Sequence, residues 1–519
     1  MPMDKIKAML GLDMGTSSCK AILLDDQMKT VATSFCSYGL DIGNQGAAEQ
    51  NPDEWWNAIK SCISNIKNRA GEYHIASIGV TGQWSGTVPV DSKGKALHNA
   101  IIWMDTRGSK DVEALTGGFP SISGYRVDKL YRWLHLTGGA PAHSGKDTIA
   151  HILYIRENMQ DIYRDTYKFL EPKDYINMRL TGNFKTTWDT ATLLWSSDNR
   201  NPDKIQYSES LIRLNKLDPD KLPEMIRAVD IAGKITPEAA SELGLPDDVD
   251  VIGGCGDTQC SLLGGGCIDH YSTLLYLGTS SWITAHVAHK KTDIIHNIAS
   301  LPSAIEGKYF IAAEQENASS CIEYISGILG IGGNDKYYTI DRMASASPPG
   351  SNGLIFLPWI YGERAPVEDS LLRGGFFNLS LGHGREDLIR SVMEGVAFNS
   401  KWLLAIVDKF LGKGNVPNRI IMSGGGALSS VWPQILSDVL EREISVIPDP
   451  RFSTVRGIAL LAGVGSGIIS MEDLKTVSGE PAVYKPNVEN FVVYRKNFEE
   501  FKNYYRNNRK SMHRINTAK

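Results

Sequence analysis

No apolar run in these 519 residues is long enough to cross a bilayer, and the N-terminal MPMDKIKAML lacks the extended apolar core of a secretory signal. A cytoplasmic protein without a membrane partner is expected. Nor is there an excess of basic residues: 54 Lys and Arg stand against 59 Asp and Glu, a formal net charge of −5, which argues against nucleic acid as the main partner. Cysteine is scarce. The seven (19, 36, 62, 255, 260, 267, 321) form no C-x-x-C pair and have no His partners at finger spacing, so neither a disulfide framework nor a zinc finger is expected, only reduced, mostly buried thiols. Low-complexity tracts are missing too. The 50 glycines bunch at 253–266, 330–333 and 424–426, where they mark tight turns. The basic end, KNYYRNNRKSMHR, reads as a solvated tail.

What the chain does have is a motif written twice. GLDMGTSS (Gly11 to Ser18) and YLGTSS (Tyr276 to Ser281) each place Gly-Thr-Ser-Ser after an apolar strand, nearly half a chain apart. A length of 519 residues suits two large domains or one internally doubled unit. The opening segment reads as a strand, a tight turn and a second strand, a hairpin and not the strand-turn-helix of a dinucleotide fold. At 51 the pattern turns helical, with Asn51 as cap, Pro52 at the first position and apolar residues through Trp55, Trp56, Ile59, Ile63 and Ile66. IASIGVTG is a buried strand, and 105–230 is mainly helical, as an insertion over a sheet. Strands and glycine turns return after 250. The reading is two α/β domains, 1–250 and 251–485, facing across a cleft, followed by a helical tail, 486–519.

Several short stretches carry chemistry. A strand ending at Asp13 delivers a carboxylate to the cleft mouth. Gly15, Thr16 and Ser17 offer backbone N–H and hydroxyl groups to phosphate oxygens, and Lys20 adds a positive charge. Asp13 suits Mg²⁺, a hard ion that keeps several waters and prefers carboxylate and phosphate oxygens. Gly278, Thr279 and Ser280 would face the same phosphates from the other side, so two hairpins could grip a nucleoside triphosphate. In GGCGDTQCSLLGGG, Asp257 lies in a glycine-lined turn open to a substrate hydroxyl, the placement a general base needs in phosphoryl transfer. Gly424, Gly425 and Gly426 leave room for adenine and ribose. TGQWSG (Gln83, Trp84, Ser85) and IIWMDTR (Trp103, Asp105, Arg107) combine a flat apolar wall with directional polar groups, the mixture a sugar site uses. Each stretch alone is also what ordinary turns and cores use.

Taken together and in order, GLDMGTSSCKAILLD, EQNPDEWW, IGVTGQWSG, AIIWMDTR, LEPKDYINMRLTGNF, GGCGDTQCSLLGGG, YLGTSSW, FLPWIYGERAP, VMEGVAFN and SGGGALSSVWPQILSDVL resemble the FGGY carbohydrate kinases of the actin-like ATPase superfamily, nearest the xylulokinase branch. The resemblance implies two actin-like (ribonuclease H-like) domains with a deep cleft, and ATP- and Mg²⁺-dependent phosphorylation of a sugar or polyol hydroxyl; a homodimer is an expected assembly. It makes Asp13 the metal-associated aspartate and Asp257 the catalytic base. Gly15 with Thr16 and Gly278 to Ser280 become the phosphate loops, and Gly424 to Gly426 the adenosine motif. Three departures touch the acceptor side. Trp84-Ser85 stands where xylulokinases usually have Met-His, Thr258 where they have Asn, and IAHILYI (149–155) replaces the usual Pro-x-x-Lys-x-x-Trp signature. The expected acceptor is a pentulose such as D-xylulose. Ribulose, sedoheptulose, erythritol and glycerol remain alternatives, as does a catalytically silent sugar-binding regulator.

Overall fold

The computed structural model describes residues 6–69, 71, 73–296, 298–476 and 479–517. Strands β1 (Ile6–Met14) and β2 (Ser18–Asp25) form the expected antiparallel hairpin, and β3 (Thr30–Ser37) extends it. Helix α1 (Pro52–Lys67) begins where the sequence places it: the Asn51 side chain accepts from the Asp53 N–H, and Trp55, Ile59, Ile63 and Ile66 are buried. It leads to β4 (Tyr73–Gly82), parallel to β1. After helix α2 (Pro172–Thr181), β5 (Ile231–Lys234) and β6 (Asp250–Ile252) complete a six-stranded sheet in the order β5-β6-β4-β1-β2-β3.

The plan then repeats. Helix α3 (Asp257–Gly264) leads to a second hairpin, β7 (Thr273–Leu277) with β8 (Ser281–Val287), in an eight-stranded sheet. That sheet adds β9 (Thr292–Asp293), β10 (Ile298–Pro302) and β11 (Tyr309–Gln315) on one side. On the other side lie β12 (Arg419–Ser423), β13 (Glu443–Val446) and β14 (Ala482–Tyr484). In both sheets a three-stranded antiparallel meander meets two parallel strands: β3-β2-β1 joins β4-β6, and β11-β8-β7 joins β12-β13. Each repeated Gly-Thr-Ser-Ser therefore occupies the hairpin turn of the same structural unit.

Helix α4 (Arg385–Leu411) is the spine of the second half. Helix α5 (Ser453–Gly465), although late in the chain, lies under the first sheet. A Cβ on Gly11 would sit 2.4 Å from the Val455 carbonyl oxygen, and one on Gly79 would sit 2.5 Å from that of Ile458. Helix α3 crosses α5 just as closely, because a Cβ on Gly457 would stand 1.9 Å from the Cys260 carbonyl oxygen. Backbone-to-backbone contact of this kind needs glycine for want of room.

Two expectations change. Asp257 does not lie in a turn. With Gly256 as N-cap it is the first residue of α3, so its carboxylate sits at the positive end of a helix. The basic C-terminal stretch is not a solvated tail either: it forms α6 (Phe491–Asn516), whose Tyr494, Phe498, Phe501 and Tyr505 are buried in the second core. Their spacing of three and four residues makes one apolar stripe under a basic outer face. The seven cysteines are all free thiols. Among the described residues no helix is long and apolar enough to cross a membrane.

Candidate active site

The two hairpins are near enough for Lys20 of the first and Tyr276 of the second to feel each other's charge. Asp13 is opposite Lys20 in the β1–β2 register, with 4.0 Å between Nζ and Oδ2, and the charge on Lys20 also feels Tyr276 and Asp257 from the second half. The Asp13 carboxylate is only 5% exposed, and burial pushes its pKa up against the pull of Lys20. A buried carboxylate with one distant ammonium for company is short of positive charge. The first turn is held in shape by its own backbone, Gly15 N–H to Ser18 O at 3.1 Å, and by the Thr16 carbonyl, which accepts from Gln50 Nε2 at 2.7 Å. Ser17 anchors it through its carbonyl, 3.2 Å from the Tyr38 nitrogen. In the second turn Gly278 N–H reaches Ser280 O at 2.9 Å, and the Thr279 carbonyl accepts from Ala318 and Ser320 N–H at 3.0 and 3.2 Å. Both turns thus have their carbonyls tied to neighbouring segments.

Asp257 opens α3, where its charge couples to those of Asp13 and Lys20. Burial raises its carboxyl to about 7, the carboxylates of Asp13 and Glu314 push the same way, and the Thr258 N–H at 2.7 Å pulls back. Thr258 itself is buried and directs its hydroxyl at the same Oδ1, leaving Oδ2 for a ligand. The segment before Asp257 is clamped by residues of the first half. Asp189 accepts from Gly256 N–H at 2.9 Å, Asn177 Nδ2 donates to the carbonyls of Ile252 and Gly253 at 3.2 and 2.8 Å, and Thr81 Oγ1 donates to that of Cys255 at 2.7 Å. Lys173, fully enclosed beside Asp174, donates to the Gly253 carbonyl at 3.2 Å. Sequence reasoning gave these four clamps no role, although EPKDYINMRLTG supplies two of them.

The acceptor-side residues divide into two groups. Trp84 lies over Gly256, next to Asp257, with its ring 6.0 Å from that of Phe310. Trp84 Nε1 and Gln83 Oε1 are buried and find no partner among the described residues. Ser85 adopts φ +60°, and the following Gly86 N–H is held by Glu171 at 2.9 Å. Glu171, raised to about 8 by burial, is a further residue the sequence left unassigned. Trp103 faces the first turn, donating from Nε1 to Thr16 Oγ1 at 3.0 Å, and Lys146 stands 5.6 Å over its ring. Asp105 and Arg107 turn inward. Asp105 is 1% exposed and accepts from Ala48 N–H, while Arg107 bridges it to Glu49 at 2.6 Å. Their charges are neutralised by one another, which shapes the wall behind Trp103. The altered signature IAHILYI lies within the helix Thr148–Asn158, where His151 Nδ1 approaches Thr87 Oγ1 at 3.2 Å.

The triple glycine is also divided. Gly424 and Gly426 pack on Leu277 of β7, where a Cβ on either would fall 2.5 Å away, and Gly425 alone faces open space. The motif thereby fixes the turn at Gly278 from behind. Ser429 and Ser430 beyond it bond Asp341 at 2.6 to 2.9 Å.

Residues 8–264 match the N-terminal domain, and residues 274–466 the C-terminal domain, of the FGGY family of carbohydrate kinases. A xylulose kinase of Lactococcus lactis subsp. lactis is 28% identical over 521 residues, covering 98% of each chain. A gluconokinase of Bacillus subtilis is 27% identical over 90% of this chain and 89% of its own. The ligand-bound xylulose kinase structure from Lactobacillus acidophilus superposes with a TM-score of 0.85 at 24% identity, covering 98% of this chain and all of its own, which shows the common two-domain fold.

Proposed function

The chain belongs to the FGGY family of carbohydrate kinases, ATP-dependent phosphotransferases built from two actin-like domains, and we propose that its acceptor is a ketose, with a pentulose such as D-xylulose as the leading case. The observation that carries the mechanism is the Asp257 carboxyl, raised to about 7 and fixed at the head of α3 by the Thr258 N–H. A group that titrates near neutrality is matched to accept a hydroxyl proton at working pH. Oδ2 takes the proton of the sugar hydroxyl as that oxygen bonds to the γ-phosphorus, the bond to the β–γ bridging oxygen breaks on the opposite side, and ADP leaves. The turns at Gly15–Ser17 and Gly278–Ser280 hold the phosphate chain, Lys20 balances its charge, and Gly424–Gly426 border the adenosine. Trp84 and Trp103 form the apolar walls of the acceptor pocket, with Trp84 Nε1 and Gln83 Oε1 as free donor and acceptor for sugar hydroxyls.

Mg²⁺ fits the donor set. Asp13 is a buried carboxylate short of positive charge, and a single carboxylate plus phosphate oxygens is how this ion is usually held. When bound it would neutralise phosphate charge. The chain's own contribution is to present Asp13 near the end of β1 and to fix the Asp257 carboxylate through its bond to Thr258.

The test is a coupled ADP-release assay over pentuloses, heptuloses, hexuloses, polyols and gluconate. Gluconate is included because a gluconokinase stands among the relatives and Lys146 sets a cation over Trp103. Asp257→Ala should abolish acceptor-dependent ADP formation with little change in ATP binding. Near-normal turnover by that variant would overturn the base assignment, and no stimulation by any acceptor would favour the silent-regulator alternative.

A further inference from the structure

The internal duplication puts two side chains in equivalent places. Asp13 stands two residues before Gly15 in the first hairpin, and Tyr276 stands two residues before Gly278 in the second. One half offers a carboxylate there and the other a phenol.

Several observations fix where that phenol is. Tyr276 pairs with Trp282 across the β7–β8 hairpin, and their rings stack at 3.9 Å with 3° between planes. The ring turns back over its own turn: a Cβ on Gly278 would lie 2.5 Å from Cε1 and 3.2 Å from both Cζ and Oη. The hydroxyl therefore lies at the phosphate turn itself. The charges that face it are Lys20 and Asp13 of the first half and Asp257 at the head of α3, the three groups between which a phosphoryl group has to pass. Tyr276 is half-buried, and its hydroxyl finds no hydrogen-bond partner among the described residues. Burial, with Asp13 and Asp257, outweighs Lys20 and raises its pKa, so it remains a protonated, neutral donor.

We propose that Tyr276 is a further catalytic residue, whose hydroxyl donates a hydrogen bond to a non-bridging oxygen of the γ-phosphoryl group as it moves from ADP to the acceptor. This rests on the phosphotransfer reading of the cleft. The stack on Trp282 holds the donor in place before the reaction, so little orientation has to be acquired on the way to the transition state. In the doubled fold the first half thus meets the phosphate chain with an anion suited to a metal, and the second half meets it with a proton donor.

Tyr276→Phe tests this, because it keeps the ring and its stack and removes only the hydroxyl. Acceptor-dependent kcat should fall about ten- to a hundredfold, the range for one lost hydrogen bond to a charged group. Calorimetric titration with the magnesium complex of β,γ-imido-ATP should show affinity weakened about tenfold, while ADP binds within about twofold of wild type. A kcat and imido-ATP affinity both within about twofold of wild type would overturn the proposal. So would parallel weakening of ADP and imido-ATP with a lowered melting temperature, since that marks a packing role. The nucleotide titrations need no sugar, so absence of turnover with D-xylulose would count against the acceptor assignment alone and leave Tyr276 decided by binding.

Discussion

Replacing Asp257 by Asn should end catalysis and at the same time stabilise the protein, by an amount that grows with pH. In the fold the carboxyl titrates at about 7 against an ordinary 3.8, so the folded state holds its proton more tightly than the unfolded chain does. The carboxylate therefore costs stability as pH rises through that interval, and the cost levels off above the folded value. At about 1.4 kcal/mol for each pH step between the two values, the wild type bears about 4 kcal/mol at pH 8 and under about 2 kcal/mol at pH 5. Asparagine has no such dependence, and its Oδ1 can still accept from the Thr258 N–H. Scanning calorimetry of both proteins without ligands, at pH 5, 6, 7 and 8, should show the variant melting higher throughout. The gap should widen by about 2–5 °C across the series, at about 1–2 °C for each kcal/mol in a chain of this length. Titrating groups remote from Asp257 are common to the two proteins and cancel. A gap that stays constant, or a variant that melts lower at pH 8, would refute the claim that a strained, near-neutral carboxyl sits at the head of α3.

Two further perturbations read the scaffold. Gly457→Ala puts a methyl group 1.9 Å from the Cys260 carbonyl oxygen, so α3 must move away from α5 and carry Asp257 with it; kcat should fall about a hundredfold, and an unchanged kcat would show that α3 does not position the base. Phe501→Ala removes a fully buried ring 5.1 Å from Trp359 and 5.9 Å from Phe398. It should destabilise the second half by about 3–5 kcal/mol in denaturant unfolding, whereas a loss under about 1 kcal/mol would mean that α6 is only loosely attached.

The local parts of this architecture are plain in the sequence. The hairpins follow from apolar strands broken by Gly-Thr-Ser-Ser, and α1 from Asn51-Pro52 ahead of a helical apolar stripe, because caps and turns are decided by neighbours within a few residues. What depends on distant partners is not legible. Asp105 and Arg107 look like ligand contacts, as any Asp and Arg beside a Trp would, until Glu49 and the Ala48 N–H arrive from another strand to neutralise them. The clamps on the segment before Asp257 come from residues 67 to 174 positions away, and no spacing rule announces them. The C-terminal helix misleads for another reason: its buried face is made of Tyr and Phe, and its many Arg, Lys and Asn residues hide that stripe in an average over the segment.

Helix α5 has a consequence for how the protein is made. Its apolar side, with Val455, Ile458, Ala459 and Ala462, covers Met9, Ile22 and Leu24 of the first hairpin, and the closely packed Gly11 and Gly79 admit no other cover. The first sheet is thus among the earliest segments to leave the ribosome, yet one of its faces has no lid until residue 465 has emerged. From the end of β4 that interval is roughly 20 to 80 s at ordinary elongation rates. For that time the nascent chain displays an unfinished core. Separating the two halves near residue 250 would make the exposure permanent, so the halves are joint owners of one interior even though each has its own sheet.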